Sequence, residues 1–287
     1  MSEINLNKPP QVEVPPRSGL ATTMNVLRPI GRFLLPLLVS LVLLVALWYG
    51  FLKLYPQVGL VGKSPGDVWN YLVTGPTSGA ARQVIFAEMR ITLRDATIGF
   101  IAGLGAALVV SALFVGVPAI AQAFLPVAML LRSVPLVALT PIIVLVFGRG
   151  LMGVTVMAAI VVFFPALVMI MTGLKSAPRQ AMELVAAYGG SQWTALRMVA
   201  VPAALPSVFA AARISVPGAL IGALLGEWLG SGTGLGAGLI RAIPTFQYNR
   251  LWASIALVTV VSVFAYAVVG VLENLVLARF APGRERD

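Results

Sequence analysis

Apolar residues in this chain fall in long blocks, and the block lengths predict a bundle of membrane-crossing helices. About 20 apolar residues in a helix cover the ~30 Å of bilayer hydrocarbon. A helix also satisfies its own backbone polar groups there. Blocks of this kind run from Phe33 to Leu52, Ala96 to Val115, Val127 to Phe147, Met152 to Gly173, Ala204 to Leu229 and Leu251 to Leu272. The expectation is an all-α membrane protein of about six transmembrane helices. Pro135 and Pro141 in the third block, Pro165 in the fourth, and Pro206 and Pro217 in the fifth predict bends, because each proline frees a backbone carbonyl. Gly99 and Gly103 stand four apart in the second block, a spacing that lets another helix approach closely.

The intervals between blocks predict topology. Residues 1–32, with PPQVEVPPRSG at their centre, are too poor in apolar side chains to order and read as a cytoplasmic tail. The block at 33–52 lacks the short apolar core and small-residue cleavage site of a signal peptide, so it reads as an anchor. Residues 53–91 are broken by Gly and Pro and predict an external loop with one short helix. A core spans 92–278, and 279–287 form a second tail. Lys8, Arg17, Arg28 and Arg32, then Lys175, Arg179 and Arg197, then Arg279, Arg284 and Arg286 mark the cytoplasmic side. That places both termini in the cytoplasm. The opposite side also carries bases, among them Lys63, Arg82, Arg241 and Arg250, so the bias is modest.

One interval, 175–202, carries more pattern than a connection needs. Ser176 and Pro178 predict the start of a first short helix, Gly189-Gly190 a left-handed exit, Ser191 the cap of a second helix, and Pro202 its stop. Met182, Val185, Ala186 and Gly189 share one face of the first helix; Trp193, Leu196 and Ala200 share one face of the second. A structured loop lying on the bilayer would have the same amphipathic pattern.

Composition narrows the chemistry. The 287 residues are 59% hydrophobic and 10% charged, with a formal net charge of +10 and a mean hydropathy of +0.95. The bases are scattered between apolar blocks, which argues against nucleic acid as a partner. There is no His and no Cys, so zinc chemistry, Ser-His catalysis and disulfides are excluded. With ten acidic residues spread mostly over tails and helix ends, no metal or acid-base cluster can be assembled, and an embedded enzyme is disfavoured. The fragment Val61–Ser64 ends like a phosphate-binding loop, but Gln57 stands where that loop needs glycine. The glycine run Gly230–Gly238 lacks the Gly-Lys-Ser ending and reads as a flexible external loop.

The 175–202 segment resembles the cytoplasmic signature of permease subunits of ATP-binding-cassette importers, in which Glu-Ala-Ala is followed by Gly six residues after the Glu and then by Leu-Pro. Here Glu183, Gly189, Val201 and Pro202 hold those places, while Leu184 and Val185 replace the two alanines. KSPGDVW (63–69), TLRDATIGF (92–100), LRSVPLVALTPIIVLVFGRG (131–150) and GEWLGSGTGLGAGLI (226–240) extend the likeness. Together they are similar to the branch holding nitrate, sulfonate and taurine permeases, with relatives for riboflavin and thiamine-pyrimidine precursors. The resemblance implies the type I importer permease fold in the bacterial inner membrane. Its implied partners are a dimer of separate ATPase chains, a second permease subunit (most simply an identical copy) and a periplasmic or lipid-anchored solute-binding protein.

The resemblance further implies that this chain holds no cofactor, ATP and Mg being bound by the ATPase. Glu183, Val185, Ala186, Ala187, Gly189, Trp193, Val201 and Pro202 would form the ATPase-coupling loop. Arg132, Ser133, Thr140, Arg213, Ser215 and Glu227 would border the translocation path, with an oxyanion, sulfonate or other small organic anion as the preferred solute. The alternative is an ion-coupled secondary transporter, which would place ionisable residues near the middle of its spans.

Overall fold

The computed structural model describes residues 39–40, 42–55 and 59–280. Residues 1–38, 41, 56–58 and 281–287, which hold the amino-terminal tail, part of the expected anchor and most of the carboxyl tail, lie outside them. The chain forms two compact units, 1–60 and 61–287. In the first, α1 (Val42–Leu54) has the sequence VLLVALWYGFLKL, apolar on every face apart from Lys53 near its end, as suits a lipid-facing helix.

The described residues of the second unit contain no strand. It opens with α2 (Pro65–Trp69), which widens into a π turn at Asn70–Thr74. Ser64 and Asp67 form a capping box: the Ser64 N–H donates to the Asp67 carboxylate (2.8 Å), and the Asp67 N–H donates to the Ser64 hydroxyl (3.2 Å). These bonds, first from the Ser64 backbone and then from its hydroxyl, hold the Asp67 carboxyl below the usual aspartate range. A lowered folded-state pKa means the stabilisation is present above the unfolded value and fades as pH falls through the folded one. Amide protection in 65–74 should therefore weaken below pH ~3.9. Ser64→Ala should weaken it at neutral pH by ~1 kcal/mol. Hydrogen exchange on the detergent-purified protein, corrected for intrinsic rates, measures both; unchanged protection at pH ~3 would show that the carboxylate contributes nothing.

Next come α3 (Ser78–Gly116), α4 (Pro118–Ser133), α5 (Leu136–Phe147), α6 (Leu151–Lys175) and α7 (Arg179–Ala187). They are followed by α8 (Gln192–Ser231), α9 (Gly234–Ala242) and α10 (Tyr248–Phe280). Four of these, α3, α6, α8 and α10, are long and apolar enough to cross a membrane, and α4 with α5 makes a fifth if counted as one span. The third apolar block is not one bent helix from Val127 to Phe147. It is two helices meeting at 104°, because Pro135 bars Val134 from helical backbone and Val134 is extended, with ψ 125°. The second span also begins earlier than its apolar block, at Ser78, so the expected external loop gives way to helix well before residue 91.

α6 lies between α3 and α8. Between lipid-embedded helices, association rests on close packing, and here small residues supply it. Gly99 of α3 and Gly222 of α8 both face Ala158, and a side-chain carbon at Gly222 would stand 2.6 Å from the Ala158 Cα. The expected close approach at Gly99 and Gly103 is thus with α6, where Gly103 faces Ala159 and Val162. The Ser111 hydroxyl, buried in α3, donates to the Leu167 carbonyl of α6 (3.1 Å).

Candidate functional site

The segment after α6 is a compact hairpin. Its first signal acts differently from expectation. Ser176 closes α6, donating through its hydroxyl to the Gly173 carbonyl (2.8 Å), and Pro178 takes the N-cap position of α7. The exit of α7 is as the sequence predicts: Gly189 has φ +82°, the Gly190 N–H donates to Val185 and the Gly189 N–H to Ala186, both at 2.9 Å. That is a Schellman turn, which satisfies carbonyls left open at a helix end. Ser191 then caps α8, accepting from the Thr194 N–H (3.2 Å).

Pro202 does not stop the second helix. The preceding turn, Leu196–Ala200, is π-helical, and the Val201 N–H donates to the Leu196 carbonyl. This wider turn absorbs the proline, which has no N–H to donate and whose ring would otherwise strike the turn before it. The hairpin therefore continues without a break into a 40-residue span. Glu183, Ala186, Ala187, Gly189, Trp193, Val201 and Pro202 are exposed, and Val185 is half-buried against Gly190. Leu184, Tyr188 and Met198 add exposed apolar surface, Tyr188 at 86%. Sequence reasoning passed over these three; the available signal was apolar residues at a turn already rich in caps. On the inward side Leu196, Ala200 and Leu174 are buried with Phe114 and Ala121, and Met182 and Ala177 pack against them.

The residues proposed from sequence for a path are not brought together. Arg132 and Ser133 are exposed at the break between α4 and α5, and the Ser133 hydroxyl donates to the Leu130 carbonyl (2.7 Å). They border a cavity of about 350 Å³ whose other walls include Pro135, Ile160, Phe164 and Pro165. Arg132 has no ion pair among the described residues. Thr140 and Ser215 are buried, and the Thr140 hydroxyl donates to the Leu136 carbonyl (3.2 Å). Arg213 is committed to α10: it donates to Glu273 (2.9 Å) and to the Tyr266 hydroxyl (3.0 Å) and lies 4.6 Å from the Tyr266 ring centre.

Glu227 lies within the chain's own interior, fully buried, and faces no open surface. Its Oε2 accepts from the Thr92 hydroxyl and the Gly236 N–H, both at 2.8 Å, and the Thr92 oxygen accepts from the Leu235 N–H (2.9 Å). The two side chains thus cap the start of α9. Beside them Glu88 binds Arg241 (3.1 Å) and Arg250 (2.6 Å). The glycine run is accordingly not a flexible loop. Gly236 and Gly238 lie in the buried helix α9, where side-chain carbons would strike the Leu224 backbone and the Glu88 carboxylate. Asp95, inside α3 and buried, pairs with the neighbouring Arg94 (2.8 Å).

Comparison with known proteins agrees with this architecture. The chain is 30% identical to a riboflavin transport system permease protein of Chloroflexus aurantiacus over 87% of its own length and 93% of the relative's. It is 28% identical to an aliphatic sulfonates transport permease of Bacillus subtilis, over 67% of this chain and 70% of that one. An inward-facing structure of the MetNI methionine ABC transporter matches with a TM-score of 0.54 at 20% identity, covering 67% of this chain and 94% of that one, which shows the shared fold. The sequence pattern described as binding-protein-dependent transport system inner membrane component matches residues 98–282. With that match covering most of the second unit, the chain belongs to this family, the multi-pass inner-membrane permeases of ATP-binding-cassette importers for small solutes, whose ATPase is a separate chain.

Proposed function

We propose that this chain pairs with a second copy of itself around a central path, receives a small organic anion from a solute-binding protein, and is driven through the 175–202 hairpin by an ATPase dimer that binds the ATP and Mg. Both termini lie on the ATPase side. The hairpin is the observation that carries this reading. A Schellman turn and a serine cap make it rigid, one side is buried in the helix bundle, and the other presents Leu184, Tyr188, Trp193 and Met198. Exposed aromatic and apolar anchors on a rigid support are what a protein partner's pocket takes up. The anion preference is supported by Arg132, exposed and without an ion pair at the α4–α5 cavity, and by the likeness to the sulfonate permease.

The test is capture of tagged protein from native membranes, alongside Gly189→Arg, with co-purifying proteins identified by mass spectrometry. At φ +82° a non-glycine residue costs ~1–2 kcal/mol. Nothing stands within 4 Å of a carbon added there, so the variant folds while its docking tip is deformed and carries an added charge. The expected result is an ATP-binding-cassette ATPase with the wild type and its loss from the variant. No ATPase with the wild type, under conditions that preserve related complexes, would reject the reading. The ion-coupled alternative has little support here, since buried Asp95 pairs with Arg94 and buried Glu227 is taken up in capping α9; uptake that survives ATP depletion and stops with a protonophore would establish it.

A further inference from the structure

The end of α3 carries a glycine with no local reason to be one. Gly116 is not at a positive φ, so its backbone accepts any residue. What excludes a side chain is the ring of Trp193: a carbon at Gly116 would stand 2.9, 3.1 and 3.3 Å from three atoms of its outer six-membered edge. Trp193, half-exposed at 52%, thus rests on the bare backbone of the α3 end. The corner there is tight, since Val117 alone separates α3 from α4. The same corner shares one buried cluster with the hairpin, in which Phe114 and Ala121 meet Leu196 and Ala200.

We infer that Gly116 is a positioning residue for coupling: its missing side chain seats the Trp193 ring, so that movement of the hairpin is delivered to the α3–α4 corner and on along α4 to the break holding Arg132 and Ser133. This inference rests on the hairpin being the ATPase-docking element. The seat explains two things that a surface loop would not require. Trp193, which the resemblance places in the ATPase-coupling loop, spends one ring edge inward. And the hairpin is fastened to the one corner that leads into the broken helix pair. α4 is a single 16-residue helix from that corner to the break, so displacement at Pro118 has a direct route to Ser133.

The natural chain has no cysteine, which makes Ser133→Cys a clean reporter. In the complex captured with its own ATPase, the maleimide-labelling rate at that position is compared between nucleotide-free and ATP–vanadate-trapped states. With Gly116 the rates should differ severalfold. With Gly116→Val they should become equal while the ATPase still co-purifies and still hydrolyses ATP. Gly116→Val combined with Trp193→Phe, which removes the ring edge that valine would strike, should restore the difference. A role in packing alone would lower stability but leave the nucleotide-dependent difference in place. That result, or equal rates already with Gly116, overturns the inference. If Gly116→Val does not assemble, Gly116→Ala is measured instead; its smaller group should reduce the difference, and an unreduced difference overturns the inference. Absence of the ATPase from the wild-type capture would reject the docking reading and this inference with it, whereas its presence with an unchanged labelling difference in the valine variant rejects this inference alone.

Discussion

Glu227→Ala should lower the stability of the purified protein by about 2–4 kcal/mol, the sum of one orphaned buried donor and a cavity. The carboxylate accepts from the Thr92 hydroxyl and the Gly236 N–H in a site closed to solvent. With alanine the Gly236 N–H loses its acceptor, the Thr92 hydroxyl keeps only the Glu88 carbonyl (3.2 Å), and α9 loses half of its start cap. Glu227→Gln keeps an oxygen for both donors and should recover most of the loss. Thermal unfolding in detergent reads the effect as a midpoint lowered by about 10 °C for alanine. Equal midpoints for wild type and alanine would show that α9 is held by other contacts. Arg241→Ala should do far less, because that side chain is half-exposed and Glu88 keeps Arg250.

Ala158→Leu should be the most damaging substitution in the transmembrane seam. Overfilling a packed core costs about 1–3 kcal/mol and occasionally more, and this position meets a glycine on each of two helices, so neither neighbour can turn a side chain away. Loss of membrane yield is the expected outcome. Gly105→Leu is the control: nothing lies within 4 Å of a carbon added there, and removing a helical glycine gains up to ~1 kcal/mol. If the two variants accumulate and melt alike, the three-helix contact is not what holds α3, α6 and α8 together.

What could be read from sequence follows from how local each signal is. Gly189-Gly190 and Ser191 were legible because a Schellman turn and a serine cap close within six residues. Gly99 and Gly103 announced a close crossing but not its partner, since spacing on one helix is silent about the other. Pro135 announced a bend at the α4–α5 junction but not a break of 104°, because Val134 and Pro135 are as apolar as their surroundings and a hydropathy block has no direction. Ser78 to Ile91 read as a loop because their polar residues find partners far along the chain, Glu88 in Arg241 and Arg250. The glycine run was misread for the same reason: smallness looks like freedom until the wall it fits against is known. Arg213 and Glu227 were expected to border a path; in the structure Arg213 pairs with Glu273 and Glu227 caps α9.

The continuity of α8 has a mechanical meaning. Forty residues of helix extend about 60 Å, and of its own glycines the one set tightest against the α6 backbone is Gly222, 30 residues beyond Gln192 and 9 short of Ser231. A rod rocking at that point has arms of about 45 and 14 Å. A swing at the hairpin end then arrives at the Glu227 end reversed and reduced roughly threefold, travel exchanged for force. Such a lever suits a far end that must work against a buried, hydrogen-bonded anchorage without tearing it.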